Sequence, residues 1–306
     1  MAAVESAFSW LEQDRVSMPP VMHIEATEHK GDIDVKSAYV RGLPYFAIKI
    51  ASGFPDNPRR GLPAGSAMMV LLNSASGFCE AILLDNSYLT DLRTGLAGAV
   101  AAKYLAPETI RTVGVLGTGT QGRYQVKCLR LLRRFQQVFV WGRSTENLQA
   151  YAEALREDLK IDVVTADCAE TVVRECELLI TATASDRPLV KSEWLHAGQH
   201  ITAVGADFPH KQELEPEVLR RADRLVCDRL SQCMLLGELQ HLVRNGQLPG
   251  DLEVIELGQL TTGAKPGRLG EDEITVCDLT GTGVQDTAIA NLAFSAAMRQ
   301  GMGLAV

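Results

Sequence analysis

Thr112-Val-Gly-Val-Leu-Gly117-Thr-Gly119-Thr-Gln-Gly122 is the stretch that decides the architecture. Residues 112–116 read as a strand that runs straight into a GxGxxG turn, and a helix is expected behind it near 121–134. Each glycine meets a separate steric demand. The first permits a tight turn, the second lets backbone approach a pyrophosphate, and the third lets helix and strand pack closely. The phosphate then rests on the free N–H groups of the helix N-terminus. Three glycines at this spacing can also form an ordinary turn, but the strand before them and the helix after them favour a dinucleotide loop.

C-terminal to the loop, strand and helix alternate: Gln137–Trp141, a helix near 145–158, Asp162–Thr165, Leu178–Thr183, His200–Val204 and Arg224–Cys227. A helical stretch near 231–244, a strand at Glu273–Asp278 and a small-residue helix at Asp286–Met298 complete the chain. Such alternation builds a parallel sheet with crossover helices. The N-terminal third is different, with a short helix near 2–13, strand-like runs at Tyr45–Ile50 and Ala67–Leu72, and a helix from Asp91 to about Leu105 capped by Thr90. The last helix is expected to return to this first domain. The fold class is therefore α/β, with a Rossmann dinucleotide-binding domain (109–284) inserted in a discontinuous α/β domain (1–108 plus 285–306).

Composition narrows the function classes. The 306 residues are 46% apolar and 22% charged, enough for a substantial core. Thirty Lys+Arg against 38 Asp+Glu leave a net charge of −8, so nucleic acid is not the expected partner. No run approaches the roughly 20 apolar residues of a membrane span, and the N-terminus has no signal-like segment, which points to the cytoplasm. The seven cysteines are odd in number with no CxxC spacing, and His196 and His200 are separated by Gly198, so no metal site is expected.

An NAD-preferring site places a carboxylate about 20 residues beyond the glycines, where it bonds the ribose 2′-hydroxyl. Here that position reads Trp141-Gly-Arg143-Ser144. A cation and a hydroxyl suit a 2′-phosphate, so NADP(H) is favoured over NAD(H). The strand ends at Thr181, Thr183, Val204 and Gly205 are expected to line the cofactor, because ligands of open parallel sheets bind beyond the carboxyl ends of the strands.

Two cations outside this domain are unusual. Lys49 interrupts the apolar run Tyr45-Phe-Ala-Ile-Lys-Ile-Ala, and a buried lysine needs an anion. Arg93 is expected in the first helical turn after Thr90, where a basic residue is disfavoured unless an anion is present. Together they describe a carboxylate site, although an internal salt bridge explains either alone equally well. Asp207 follows a sheet strand directly and could donate or accept a proton beside a nicotinamide, its alternative being a turn aspartate. Glu238 and Asp286 are secondary candidates for the nicotinamide side, with a helix-face carboxylate and a helix N-terminal aspartate as their plain readings.

Lys49, Leu89-Thr-Asp-Leu-Arg93-Thr, Gly117-Thr-Gly119-Thr-Gln121, Val204-Gly-Ala-Asp207 with Lys211-Gln-Glu-Leu, and Gly281-Thr-Gly283-Val-Gln285-Asp286 together resemble the ornithine cyclodeaminase/mu-crystallin family. Asp34-Val-Lys36-Ser-Ala-Tyr39 looks most like its ectoine-utilisation cyclodeaminase-like subgroup. The resemblance implies a homodimer whose discontinuous domain provides the dimer surface and much of the substrate pocket. It also implies that Lys49 and Arg93 hold a substrate carboxylate, that Asp207 works at the reacting carbon–nitrogen centre, and that Gly119, Thr120 and Gln121 cradle the phosphates beside Gly117 and Gly122. Ornithine-specific members carry a further arginine in the segment that here reads Met18–Glu25, where none stands. His23 or Lys36 is the candidate for that role. Relatives also have a strand and helix before the point where this chain begins.

Three functions are consistent with these residues. The first is an NAD(P)H-dependent imine or ketimine reductase, or amino-acid dehydrogenase, exchanging hydride at the alpha carbon of a small amino or imino acid. The second is a cyclodeaminase, in which NAD removes and returns hydride while ammonia leaves and a ring closes. The third is a non-catalytic NADPH or small-ligand binder like mu-crystallin, which would have no need of Asp207.

Overall fold

The computed structural model describes residues 1–244, 246 and 252–304. The chain divides into two compact units, Met1–Arg93 with Thr282–Val306, and Thr94–Gly281. The first opens with α1 (Ala2–Glu12), β1 (Val16–Ser17), β2 (Met22–Ala26), β3 (Gly31–Val40), β4 (Tyr45–Gly53), β5 (Gly65–Asn73) and β6 (Cys79–Leu83). Helix α2 (Tyr88–Leu105) carries the chain into the second unit. There follow β7 (Thr112–Leu116), α3 (Thr120–Arg130), β8 (Gln137–Trp141), α4 (Thr145–Leu159), β9 (Asp162–Thr165), α5 (Ala169–Glu175), β10 (Leu178–Thr181) and β11 (Asp186–Val190). Next come β12 (His200–Ala203), β13 (Gln212–Leu214), α6 (Pro216–Arg221), β14 (Arg224–Cys227), α7 (Leu230–Leu236), α8 (Leu239–Arg244), β15 (Val254–Glu256), α9 (Leu257–Thr261) and β16 (Thr275–Asp278). Helix α10 (Gly283–Arg299) closes the first unit.

The second unit holds an eight-stranded sheet in the order β15-β14-β16-β12-β10-β7-β8-β9, with every pairing parallel. Its central strands β10, β12 and β16 are buried at every position, as a parallel sheet covered on both faces requires. From β7 the chain steps outward to β8 and β9, then returns to β10 on the other side. That reversal opens a crevice beyond the carboxyl ends of β7 and β10. Strands β10 and β12 stop earlier than expected, at Thr181 and Ala203, which leaves Thr183 and Val204 in loops. The helix expected over 231–244 is two helices, α7 and α8, interrupted at Gly237-Glu238. A Cβ at Gly237 would stand 2.3 Å from Asp278 Oδ2, so the break lies directly against the end of β16.

The first unit is a six-stranded antiparallel sheet, β1-β3-β4-β5-β6 with β2 also on β3. Helix α10 seats on one face through two polar anchors. Thr287 Oγ1 accepts the Ala47 N–H at 2.9 Å and donates to the Ala38 carbonyl at 2.7 Å, so the hydroxyl stands between facing residues of β3 and β4. Asn291 Nδ2 donates to the Tyr45 carbonyl at 2.8 Å. At the head of α10 a Cβ on Gly283 would meet Ser37 O at 2.5 Å, so only glycine allows this approach to β3. Period-two alternation turns Lys36, Ala38, Ala47, Lys49, Met69 and Leu71 to the covered face, where all are buried. The opposite face presents Ile33, Val35, Ile48, Ile50, Met68 and Val70, none of them fully buried.

Helix α2 starts at Tyr88, ahead of the expected Asp91, with the Leu89 N–H bonded to Asp85 Oδ2 at 2.6 Å. Thr90 is therefore inside the helix and does not cap it, and Arg93 stands in the second turn. At that position Arg93 is clear of the free N–H groups of the first turn, and its place in the helix does not by itself call for an anion there. Among the described residues no helix is long and apolar enough to cross a membrane, and no group of His, Cys, Asp and Glu could hold a metal ion.

Candidate active site

In the second unit a cleft of about 690 Å³ is lined by Gly117-Thr-Gly119, Trp141-Gly-Arg143-Ser144, Asn147, Ala182-Thr-Ala-Ser185 and Leu189. It sits where the strand order reverses, and its volume is that of a cofactor pocket. Gly117 has φ +117, and a Cβ there would lie 2.5 Å from Ala182 O. A Cβ at Gly122 would lie 2.4 Å from Gly117 O. A Cβ at Gly119 would meet nothing within 4 Å. Two glycines are thus demanded by the protein's own packing, and the open space over Gly119 leaves the backbone approachable from the cleft. Gly119 is also the N-cap of α3, so the N–H groups of Thr120, Gln121 and Gly122 begin that helix where a diphosphate is stabilised.

None of the residues lining the cleft is acidic. Arg143 is exposed at its rim, and Ser144 caps α4, its Oγ accepting the Asn147 N–H at 3.3 Å. Thr183 lines the cleft; Thr181, Val204 and Gly205 are not in its lining and stand behind it at the ends of β10 and β12. A nicotinamide dinucleotide fits these residues: a glycine turn with room over Gly119, a helix N-terminus, and strand-end loops from both sides of the switch.

Behind the cleft lies a chain of buried carboxyls that sequence reasoning did not assemble. Glu213 is fully buried, and its Oε1 accepts the Thr183 N–H at 2.6 Å while its Oε2 accepts the Gly205 N–H at 2.9 Å. The Glu213 and Leu214 N–H groups donate in turn to Glu238 Oε1 and Oε2, at 2.7 and 3.2 Å. The Leu239 N–H donates to Asp278 Oδ2 at 3.1 Å. Burial pushes the Glu238 carboxyl well above the usual carboxylate range, and Glu213 and Asp278 push it further. Burial likewise raises Glu213, and it raises Asp278 to about 7. Glu238 therefore does not line the cleft as expected but backs β13. The signals available in the sequence were Asp278 ending the apolar run Ile274–Cys277 and Glu213 within Lys211-Gln-Glu-Leu.

The first unit gathers the cations. Lys36 and Lys49 face each other directly across β3 and β4, and both are buried. Asp286, in the first turn of α10 and fully buried, pairs with Lys49 Nζ at 3.0 Å and with Arg93 Nε at 2.9 Å. Arg93 Nη1 donates to Gln285 Oε1 at 3.0 Å. Asp286 is thus an anion for Lys49 and Arg93 supplied by the protein itself, and it stands in the first helical turn, as its plain reading has it. Burial raises its carboxyl, but Arg93 and Lys49 outweigh that and hold it below its ordinary range. Lys49 shows the opposite balance. Burial, then Arg93 and Lys36, overcome Asp286 and lower its ammonium to about 7. Two buried cations, Lys49 and Arg93, thus share one carboxylate, an arrangement that suits an additional anion.

His23 stands on the same face of the sheet, opposite Asp34 and bonded to it through Nδ1 at 2.9 Å. Asp207, in the loop after β12, is more than a third exposed and pairs with Lys211 Nζ at 2.6 Å.

Fold and cleft together define a Rossmann-type, nicotinamide dinucleotide-binding α/β protein. The family model for the ornithine cyclodeaminase/mu-crystallin family matches residues 1–300, and the chain belongs to that family. It is 45% identical over 304 residues to an uncharacterized cyclodeaminase of Sinorhizobium fredii, covering 98% of this chain and 91% of the relative. Among solved structures, an archaeal alanine dehydrogenase dimer with bound NAD is 35% identical, with a TM-score of 0.92 over 100% of this chain and 92% of that one. The Δ(1)-pyrroline-2-carboxylate reductase of Thermococcus litoralis, in complex with NADH and L-proline, is 29% identical, with a TM-score of 0.94 over 100% of this chain and 94% of that one.

Proposed function

We propose that this protein reduces small imino acids to amino acids with NAD(P)H, and runs the reverse oxidation when amino acid and oxidised cofactor are in excess. The observation that carries this is the sharing of one buried carboxylate, Asp286, by two buried cations, Lys49 Nζ at 3.0 Å and Arg93 Nε at 2.9 Å. A substrate carboxylate supplies the missing charge, and binding it would draw Lys49 back to its protonated form. Each unit brings one requirement of the reaction, the first a carboxylate site and the second a dinucleotide cleft. When bound, the reduced cofactor supplies the hydride that converts the imine carbon into the alpha carbon of the amino acid. Lys49, Arg93 and Lys36 hold and orient the carboxylate, with Asp286 and Gln285 fixing the Arg93 guanidinium. Asp207 exchanges a proton at the substrate nitrogen, and His23, bonded to Asp34 on the cation face, is the further candidate for holding the substrate.

Support for this over a pure binding role comes from relatives named as a dehydrogenase and a reductase, one of them holding an amino acid beside NADH. Cyclodeamination is the second reading, favoured by the name of the Sinorhizobium relative. An Asp207→Asn variant should lose turnover by about 100-fold or more, the usual worth of a positioned acid or base, while binding NADH as tightly as the parent. Full activity in that variant removes Asp207 from the chemistry.

For the cofactor we favour NADP(H), because Arg143 and Ser144 stand at the rim of a cleft with no acidic lining residue. The two solved relatives carry NAD or NADH, so the comparison is a direct one. A lower KM for NADPH than for NADH is expected, and a clear preference for NADH refutes it. The apolar sheet face around Ile50, Met68 and Val70 is proposed as the contact of a homodimer, which sedimentation would show as twice the 33.2 kDa chain mass. A cytoplasmic location agrees with seven free thiols.

A further inference from the structure

Glu213 is one carboxylate shared by two loops. The first, Ala182–Ser185, lines the dinucleotide cleft, and its Thr183 N–H donates to Oε1 at 2.6 Å. The second leaves β12 and leads to Asp207; its Gly205 N–H donates to Oε2 at 2.9 Å, and the Asp207 N–H bonds back to the Gly205 carbonyl at 3.2 Å. Both loops follow adjacent parallel strands, β10 and β12. Parallel pairing fixes the strands as far as the Val204 N–H bond to the Thr181 carbonyl at 2.9 Å, and beyond it Glu213 joins the two loops. Space is matched to this arrangement, since a Cβ at Gly205 would lie 2.4 Å from both Glu213 Oε2 and Thr183 O.

The carboxylate is held in place from behind. Glu238 accepts the backbone N–H groups of Glu213 and Leu214, and Asp278 accepts that of Leu239, so the position of β13 is referred to the bend between α7 and α8 and to the end of β16. These bonds are buried, where the loss of any one leaves a polar group unpaired, so each acts as a positional constraint. A carboxylate whose only task was to stabilise β13 would not need both oxygens on loops outside that strand.

We propose that Glu213 is a positioning residue, which locks the cofactor-lining loop 182–185 to the Asp207 loop 204–207 so that the two present a single geometry to the cofactor. Glu213 is not among the residues that line the cleft. The consequence for turnover rests on the imino-acid reductase function; the consequence for dinucleotide binding does not.

The test is Glu213→Gln in the full chain. Glutamine keeps one acceptor oxygen and turns an amide nitrogen toward the other N–H, so one loop is released. NADH affinity, read by fluorescence titration without substrate, should weaken about 10-fold, and kcat should fall about 10-fold or more. The KM for the imino acid should stay within about threefold, because the cations of the first unit are untouched. A variant with a lowered Tm but parental NADH affinity and kcat would show a purely structural role and overturn the proposal. If Glu213→Gln does not fold, Glu213→Asp serves: it keeps the charge but is one methylene shorter and reaches one loop, so weakened NADH binding is again expected and parental binding again overturns it. Should the parent protein reduce no imino acid at all, the reductase function fails, while the NADH titration still decides the role of Glu213.

Discussion

Replacing Gly119 with Val should leave the fold intact and weaken dinucleotide binding by about 100-fold or more, the equivalent of some 2.7 kcal/mol. The backbone at Gly119 has φ −81 and ψ −176, ordinary extended values that valine adopts without strain. No atom of the protein lies within 4 Å of the added Cβ, so the side chain would project into the space that a pyrophosphate needs. The neighbouring glycines behave differently. Gly122→Val would drive its Cβ into Gly117 O, 2.4 Å away, and should damage folding and binding alike. Thermal melts and NADH titration on both variants separate the two effects. Parental NADH affinity in folded Gly119→Val would mean that the phosphates do not sit on this turn.

The second large effect belongs to Lys49. Lys49→Met keeps much of the side-chain volume and removes an ammonium that burial already lowers to about 7. Removing one partner of a buried ion pair is normally destabilising, but Asp286 retains Arg93 at 2.9 Å and is not left unpaired, so Tm should fall only modestly. The kcat/KM for the imino acid should nevertheless fall by about 100-fold or more, the loss expected for removing one partner of a buried charge contact. The pH dependence carries the same signature. A substrate carboxylate binds the protonated ammonium, so parental kcat/KM should decline as pH rises above about 7, a limb absent in the variant. Stability runs the opposite way. The folded value lies below the ordinary 10.5, so this contribution is complete above 10.5 and is lost as pH falls through about 7. Parental Tm should thus drop relative to Lys49→Met over that interval. An unchanged kcat/KM would remove Lys49 from the substrate site.

The dinucleotide domain was legible because its signals are local. Gly117, Gly119 and Gly122 answer backbone constraints at fixed spacing, and the alternation of apolar strands with helices is periodic over short windows. Even there the strand ends were overrun at Thr183 and Val204, since an apolar or β-branched residue one step past a sheet looks like one within it. The antiparallel sheet was harder to read. β3 carries Asp32, Asp34 and Lys36 in ten residues, and their charges conceal a strand whose Lys36 is buried on the face that α10 covers. The pairing of Lys49 and Arg93 with Asp286 joins residues 49, 93 and 286, and no spacing rule reaches across such separations. The same holds for Glu213, Glu238 and Asp278, whose meeting depends on the order of strands in the sheet. Lysine in an apolar run did signal that an anion must be near, but not that the protein itself supplies the first one.

The central claim is that hydride leaves the reduced cofactor and remains in an amino acid. The decisive measurement mixes enzyme, NADPH or NADH, and a panel of small imino acids formed from pyruvate plus amine, from oxaloacetate plus ammonia, or as cyclic imines. Cofactor oxidation, amino acid and ammonia are followed together. One reduced cofactor consumed for each amino acid formed, with no ammonia released, is the predicted result. Ammonia release and ring closure from an amino acid, with no net change in the cofactor, would contradict it.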